Sequence, residues 1–312
     1  MIWSGWLLWP LNSVSDFKMS LSDNPNPYHG QTLDAAKRVA MQSLAQAGLE
    51  TPKLDARILL LFATGLEHTD LIVKGGEALT PDQTEAFGAL IERRLSGEPI
   101  DHILGHREFY GRSFKVSKDV LSPRPETEGL IDQALALYGE EADIKCLDLG
   151  TGSGAIILTL LTERPNWTGV GVDLSAAALD VARENTKCHG LEGRVSFTQS
   201  SWFEGVDGQF DLIVSNPPYI DKAHMEGLSR EVQDYDPSLA LYGGPDGLAA
   251  YRDIINEAPN YLKQNGRLIL EIGYDQKKLV STLLVDGPFK DIDCHTDLAG
   301  LDRIITAKVN VM

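Results

Sequence analysis

The chain has 312 residues, a length that at roughly 150 residues per domain indicates two domains. Hydrophobic residues make up 43% and charged residues 23%, a composition that excludes a disordered or fibrous protein and leaves enough apolar side chains for a core. The formal net charge of -17 argues against non-specific nucleic-acid binding by the whole surface, but it is compatible with a local basic groove.

The three cysteines lie far apart and form no Cys-x-x-Cys pair. This argues against a disulfide framework or a metal site and is typical of a reducing compartment, so we predict a cytoplasmic protein without a metal. Near the N-terminus, Ile2 to Leu11 is apolar but interrupted by Pro10. A membrane span needs about 20 such residues. We therefore interpret residues 1–30 as a disordered leader and expect no membrane association.

Residues 31–105 have apolar side chains at helical spacing. Thr51-Pro52 and Thr80-Pro81 each place a capping hydroxyl before a proline, and Gln83 completes a capping box after Thr80. We predict a small helical domain here. Aromatic residues around Gly111 then predict a hairpin linker over residues 106–122.

The rest of the chain, residues 123–312, alternates between strands and helices. Such alternation predicts an α/β fold, a doubly wound and mostly parallel sheet covered by helices on both faces. The predicted strands are 145–149, 169–172, 195–198, 211–215 and 267–272, with helices at 155–163, 176–186 and 248–262. A closing antiparallel hairpin is expected from 291–294 and 303–309.

Residues 150–154, Gly-Thr-Gly-Ser-Gly, connect the first of these strands to its helix, and we call them the glycine loop. Glycines at such a turn let the backbone approach a ligand and leave helix N–H groups free to bind it. With Ala155 in the sixth place the loop fits the dinucleotide pattern, and Asp173 ends the second strand where a ribose acceptor is expected. These features suit NAD and S-adenosylmethionine equally.

Asp148, two residues before the glycine loop, favours S-adenosylmethionine. A carboxylate at the strand end can approach the cationic end of that cofactor, directly or through water, whereas it would repel a pyrophosphate. The remaining alternatives are NAD binding and a glycine turn needed only for packing.

Asn216-Pro217-Pro218-Tyr219, which we call the tetrad, follows the fourth predicted strand. The prolines fix the backbone and remove two N–H donors, so that carbonyl oxygens remain as acceptors beside the Asn216 side-chain oxygen. Such acceptors suit a planar NH2 group, and orientation matters because the lone pair of an amide nitrogen is delocalised. The alternative is a rigid proline turn with no ligand.

Taken together, these motifs resemble those of the protein-(glutamine-N5) methyltransferases of the HemK/PrmC type, which modify class 1 peptide chain release factors. The resemblance covers about residues 32 to 310. Besides the glycine loop and the tetrad, its motifs are Gly97-Glu98-Pro99, Leu104-Gly105, Glu108 to Gly111, Pro123 to Glu128, Gly243 to Leu248, Leu270 to Gly273 with Gln276, and Asp297 to Arg303. Residues 123–128, Pro-Arg-Pro-Glu-Thr-Glu, are called the hexad below.

The resemblance implies a class I S-adenosylmethionine-dependent methyltransferase fold with a seven-stranded sheet, behind a helical substrate-recruiting domain. It implies methylation of the glutamine of the Gly-Gly-Gln motif in release factors, with S-adenosylhomocysteine as the second product. The implied cofactor residues are Asp148, Gly150, Thr151, Gly152, Ser153, Gly154, Asp173, Trp202 and Asn216. The implied substrate residues are Asn216, Pro217, Pro218, Tyr219 and Arg124, of which Asn216, Pro217 and Tyr219 are the catalytic candidates.

Three residues depart from the family pattern. Ser201 stands where an aspartate commonly contacts the adenine amino group, Asp236 replaces a glutamate, and Ser122 precedes the hexad where an apolar residue is common. The first departure removes the usual carboxylate from the adenine contact, and none touches the transfer chemistry.

The tetrad also serves nucleic-acid methyltransferases that act on adenine N6 or guanine N2, which is the alternative function. The net charge counts against it. A further alternative is a non-catalytic cofactor-binding adaptor, against which the intact motifs argue. We expect a monomer with release factors as its partner and no direct nucleic-acid contact. A basic stretch at 107–124, with five cations against two carboxylates, is either a solvated face or a release-factor contact.

Overall fold

The structure is a computed structural model and describes residues 26–310. Contacts divide the chain into two compact units, the first ending at Ile103 and the second beginning at Leu104. The first unit is helical, as the apolar spacing predicts. Its helices are α1 (Leu33–Gln46), α2 (Pro52–Thr64), α3 (His68–Lys74), α4 (Pro81–Leu95) and α5 (Ile100–Leu104), the last of which ends at the boundary.

The helix starts of the first unit follow the predicted caps in one of two places. Thr80 and Gln83 form the predicted capping box at the start of α4. Thr51 does not cap α2, because its hydroxyl donates instead to Asp55 Oδ1 at 2.7 Å. Asp55 in turn pairs with the buried guanidinium of Arg94 at 2.7 Å, so the hydroxyl serves a buried ion pair rather than a helix end.

The predicted leader is only partly outside the described residues. Residues 1–25 lie outside them, whereas residues 26–30 pack on the helical unit. Tyr28 is 3% exposed with its ring 4.8 Å from that of Phe87, and Asn26 Nδ2 donates to the Thr84 carbonyl at 3.0 Å. The prediction of disorder is therefore wrong for these five residues, because a single buried aromatic side chain is enough to attach them.

The second unit begins with a small antiparallel hairpin of β1 (His106–Phe109) and β2 (Arg112–Lys115). A 3-10 turn at Pro125–Thr127 then leads into the α/β part. Its helices are α6 (Glu128–Ala136), α7 (Ala155–Glu163), α8 (Ala176–Cys188), α9 (Lys222–Met225), α10 (Arg230–Tyr235), α11 (Ser238–Leu241), α12 (Ala249–Tyr261) and α13 (Lys277–Asp286). Its strands are β3 (Lys145–Leu149), β4 (Thr168–Asp173), β5 (Val195–Gln199), β6 (Phe210–Ser215), β7 (Leu262–Glu271), β8 (Phe289–Thr296) and β9 (Asp302–Val309).

These seven strands form one sheet in the order β5-β4-β3-β6-β7-β9-β8. Neighbours from β5 to β7 are parallel, and β9 pairs antiparallel with both β7 and β8. The predicted class I methyltransferase fold is confirmed. The chain builds outward from β3 to β5 and then returns to β6, so the direction of winding switches between β3 and β6. In doubly wound sheets, ligands bind at this switch point.

Both faces of the sheet are buried in apolar clusters. Leu147 and Leu149 of β3 belong to a cluster with α12 and α13, whereas Cys146 belongs to the cluster of α6 and α7. Alternate residues of a strand point to opposite faces, which explains the continuous apolar run of β3. Within residues 26–310, every helix is too short or too polar to span a bilayer.

Candidate active site

The carboxyl ends of β3, β4 and β6 meet at one edge of the sheet. Leu149 is in register with Ser215 on one side and with Val172 on the other. The Ser215 hydroxyl donates to the Leu149 carbonyl at 2.7 Å, which ties the ends of β3 and β6 together. The glycine loop, Asp173 and the tetrad, which follow these strands, are therefore brought to the same place.

The glycine loop has the backbone conformation that its sequence predicts. Gly150, Gly152 and Gly154 have φ values of 70°, 54° and 80°, in the left-handed region that side chains disfavour. Gly154 also begins α7, where an added Cβ would lie 3.0 Å from a Leu158 methyl carbon. The loop is thus held by its conformation and by packing, with the start of α7 directed to the switch point.

Asp173 connects the glycine loop to the end of β4. Its two carboxylate oxygens accept hydrogen bonds from the backbone N–H groups of Gly152 and Ser175, each at 2.9 Å. Burial raises the pKa of Asp173, and these hydrogen bonds oppose the rise. Each oxygen keeps a further lone pair, which makes the carboxylate a suitable acceptor for ribose hydroxyls.

A cavity of about 580 Å³ opens at this edge, within the usual range for small-molecule sites. It is lined by Gly150 to Ser153, Asp173, Ser201, Trp202, Asn216, Pro218, Arg124, Thr127 and Ser122, among others. The Trp202 ring lies 3.9 Å from the position of a Cβ on Gly150, and Trp202 itself has a φ of 52°. A ribose acceptor, a flat indole and a bare glycine backbone at one cavity fit a nucleoside-bearing cofactor such as S-adenosylmethionine.

Asp148 is fully buried and lies outside the lining of this cavity. Its Oδ2 accepts from the Thr151 hydroxyl at 2.6 Å, and Thr151 does line the cavity. Burial raises the pKa of Asp148 to about 7, although the Thr151 hydrogen bond lowers it. A cationic ligand nearby would favour the charged form of this carboxylate. Because Asp148 lies outside the lining, its role in cofactor binding stays a prediction, and it would act through Thr151 or through water.

The tetrad follows β6 on the opposite side of the cavity from β4. Asn216 and Pro218 line the cavity, whereas Pro217 and Tyr219 lie outside its lining. The Tyr219 ring packs against the apolar cluster of α12 and α13, and burial raises its pKa to about 12. The roles of Pro217 and Tyr219 therefore stay predictions, with Tyr219 placed to support the tetrad from behind.

The backbone of the tetrad is held by Gly243, Gly247 and Gln276. A Cβ on Gly243 would lie 2.6 Å from the Pro218 carbonyl oxygen, and one on Gly247 would lie 2.5 Å from that of Tyr219. Gln276 Nε2 donates to the Tyr219 carbonyl at 3.0 Å. Glycine is required at both positions because another chain segment passes directly over the tetrad.

The side chain of Asn216 is held by two residues for which no role was predicted, one directly and the other through it. Its Nδ2 donates to Thr127 Oγ1 at 3.2 Å, and the Thr127 hydroxyl donates to Glu271 Oε2 at 2.6 Å. Thr127 belongs to the hexad and Glu271 ends β7. Both lie in motifs of the family pattern, and that pattern was the only signal that could have found them.

Arg124 of the hexad lines the cavity and pairs with Asp236, which follows α10. The Arg124 Nη2 to Asp236 Oδ2 distance is 3.0 Å, so the shorter carboxylate at position 236 still reaches the arginine. In the basic stretch, Arg112 pairs with Glu163 and Lys115 with Glu184. These two cations are neutralised within the unit, which favours a structural role for them over a release-factor contact.

Comparison with known proteins assigns a domain family to two parts of the chain. The PrmC N-terminal domain family matches residues 35–105, and a methyltransferase domain family matches residues 140–289. The methyltransferase match confirms S-adenosylmethionine, the predicted cofactor, over the NAD alternative.

Three relatives are named release factor glutamine methyltransferase. That of Agrobacterium fabrum is 43% identical over 88% of this chain and 96% of its own length. That of Bradyrhizobium diazoefficiens is 44% identical over 91% and 97%, and that of Caulobacter vibrioides is 40% identical over 89% and 97%. The predicted resemblance is confirmed, and the chain belongs to the family of release factor glutamine methyltransferases.

Proposed function

We propose that this protein transfers a methyl group from S-adenosylmethionine to the side-chain amide nitrogen (N5) of the glutamine in the Gly-Gly-Gln motif of class 1 peptide chain release factors, and so supports translation termination. The observation that carries the proposal is the position of Asn216, whose side chain faces the same cavity as the glycine loop and Asp173. A group held by the tetrad and a cofactor held by the glycine loop would meet there.

On the cofactor side, Gly150 to Gly154 and Asp173 would bind the methionine and ribose parts, and Trp202 would flank the adenine. When bound, S-adenosylmethionine supplies an electrophilic methyl group on a sulfonium and departs as S-adenosylhomocysteine. The contribution of the protein is to hold the two reactants in line. Well-oriented pairs of this kind can gain roughly 7–11 kcal/mol over free encounter.

On the substrate side, Asn216 Oδ1 and a backbone carbonyl of the tetrad would accept the two amide hydrogens of the glutamine. This grip aims the nitrogen lone pair at the methyl carbon and stabilises the positive charge that develops on the nitrogen. The N-methylated amide then loses a proton to water. Because a protonated amide is strongly acidic, this step needs no side-chain base.

The remaining parts of the proposal concern partners. The helical region of residues 31–105 would recruit the release factor, and Arg124, held by Asp236, would lie at the mouth used by the substrate loop. A monomeric state, a cytoplasmic location and the absence of nucleic-acid contacts are parts of the same proposal.

The test is incubation with methyl-labelled S-adenosylmethionine and, separately, a release factor, the same factor with its Gly-Gly-Gln glutamine replaced, and total RNA. Label in the intact factor alone is expected. Label in RNA would favour the nucleic-acid alternative, and cofactor binding without any transfer would favour an adaptor.

Two variants sharpen this test. Asn216→Ala should lower the transfer rate by at least about 100-fold while the cofactor Kd stays within about twofold. Asn256→Ala is the matched control, because Asn256 is exposed on α12, and it should transfer at the wild-type rate. Equal activity of the two variants would contradict the role of Asn216.

A further inference from the structure

Three separate motifs converge on one chain of hydrogen bonds beside the cavity. They are the hexad with Thr127, the tetrad with Asn216 and the end of β7 with Glu271. Asn216 bonds to Thr127, 89 residues before it in the sequence, and Thr127 bonds to Glu271, 144 residues after it. Thr127 and Glu271 are 3% and 2% exposed. Thr127 and Asn216 line the cavity, whereas Glu271 lies behind them, out of reach of a ligand.

We propose that Thr127 and Glu271 are positioning residues, which fix the orientation of the Asn216 carboxamide so that its oxygen, Oδ1, faces the cavity. The inference rests on the proposed function, since it names what makes Asn216 an acceptor for the amide hydrogens of the substrate. Without such a constraint, rotation by half a turn would present the Asn216 NH2 group, a donor, to another NH2 group.

The donor-to-acceptor direction of these hydrogen bonds follows from the number of protons available. Thr127 has one hydroxyl proton, and its 2.6 Å bond to Glu271 uses it. The Thr127 oxygen then offers only lone pairs to its other neighbour, so Asn216 must face it with Nδ2. In the flipped orientation, Oδ1 would face the lone pairs of the Thr127 oxygen, with no proton between the two acceptors.

The direction of these hydrogen bonds depends on the charge state of Glu271. Burial raises the pKa of Glu271 to about 7, and the Thr127 hydrogen bond and the Arg303 guanidinium oppose the rise. The carboxylate form, which can only accept, predominates above that value. A buried acceptor left facing other acceptors is disfavoured by roughly 10- to 100-fold, which is the expected preference for the productive orientation.

The test compares Thr127→Val, which keeps the shape of the side chain but loses the hydroxyl, with Thr127→Ser, which keeps the hydroxyl. At about pH 8 and with saturating cofactor and release factor, kcat of Thr127→Val should fall by roughly 10- to 100-fold, whereas Thr127→Ser should stay within about threefold of wild type. Both variants should bind S-adenosylmethionine as wild type does.

Glu271→Gln provides a second comparison. Its amide oxygen can still accept from Thr127, but its NH2 group can instead donate to the Thr127 oxygen, and the Thr127 hydroxyl is then free to donate to Oδ1 of a flipped Asn216. Its kcat should therefore fall although the cavity is unchanged and the protein folds. Equal kcat of Thr127→Val and Thr127→Ser would overturn the proposal, as would a wild-type kcat in Glu271→Gln.

A readout that needs no substrate separates this proposal from the proposed function. In the full-length protein with 15N-labelled asparagine, the Asn216 side-chain NH2 signal is identified by its loss in Asn216→Asp. Its hydrogen exchange should be at least tenfold slower than that of the exposed Asn265 in wild type and in Thr127→Ser, and fast in Thr127→Val. Fast exchange of the Asn216 NH2 group in wild type would contradict the positioning role even if release factors are methylated. Slow exchange would support it even if they are not.

Discussion

Gly243 should be among the most sensitive glycines at the cavity, because it lines the cavity and also touches the backbone of the tetrad. A Cβ added there would lie 2.6 Å from the Pro218 carbonyl oxygen and 2.7 Å from Tyr219 Cα. Ordinary contacts begin near 3.4 Å, so in Gly243→Ala the two segments must separate by about 0.8 Å. The φ of Gly243 lies outside the left-handed region, so the effect comes from this contact and not from backbone strain.

A misplacement of about 1 Å can lower a rate by about 100-fold, and Gly243→Ala should therefore reduce kcat by about that factor. The cost in the free energy of unfolding should be about 1–3 kcal/mol, as for other overpacked sites. The glycine loop and Asp173 lie across the cavity and should keep their geometry. Single-turnover transfer of labelled methyl groups measures the rate, and titration calorimetry measures the affinity for S-adenosylmethionine.

Gly139→Ala is the matched control. Gly139 is exposed, has open space where a Cβ would be and is not left-handed, so its substitution should leave both the rate and the stability near wild type. A wild-type kcat in Gly243→Ala would refute the reasoning. Loss of cofactor binding together with kcat would also refute it, since it would mean that the contact supports the whole cavity.

Three further predictions concern other parts of the chain. Asp55→Ala removes the carboxylate that faces the buried Arg94 guanidinium and should lower the free energy of unfolding, measured in urea, by about 3–5 kcal/mol. Lys37→Ala breaks a more exposed ion pair and should cost less than about 1 kcal/mol. Similar costs for the two variants would contradict the role of burial. The Ser122 hydroxyl is buried at the cavity without a hydrogen-bond partner among the described residues. Ser122→Ala should therefore raise the Tm of the free protein yet weaken cofactor binding. A fall in Tm would show that the hydroxyl already has a partner. Because burial raises the pKa of Asp148 to about 7 from an ordinary value of 3.8, its contribution to stability is present below about pH 4 and is lost as the pH rises through 7. Denaturation of wild type and Asp148→Asn between these pH values should show a larger loss in wild type, because Glu271 contributes a loss to both, and parallel curves would contradict the prediction.

The sequence predicted those elements whose signals are local. The bounds of β3 and α7 match the prediction residue for residue, because the apolar run of β3 ends at closely spaced glycines, which favour a turn, and α7 begins directly after them. For β7 the predicted start, residue 267, is five residues late. Asn-Gly pairs are common in turns, yet Asn265 and Gly266 lie within an irregular part of β7. This part begins at Leu262, where the pairing of β7 with β6 shifts register.

The candidate site divides in the same way. The glycine loop and the tetrad are contiguous in sequence, so their chemistry can be read from residue types and spacing. The link from Thr127 to Glu271 joins residues 144 apart, and neither residue type indicates the other. Thr51 shows the same limit, since its preference for Asp55 over the helix end depends on where Arg94 lies.

The wide separation of Thr127, Asn216 and Glu271 also sets an order of assembly. The cofactor half of the cavity is closed by a bond between Gly152 and Asp173, only 21 residues apart, and can form as soon as β3, α7 and β4 have paired. The acceptor half requires β6 and β7 to have returned to β3 from the other side. Contacts between residues far apart in sequence form late in folding, because the entropy cost of closing a long loop must be overcome first. A chain leaving the ribosome would thus bring the glycine loop and Asp173 together before it could orient an acceptor.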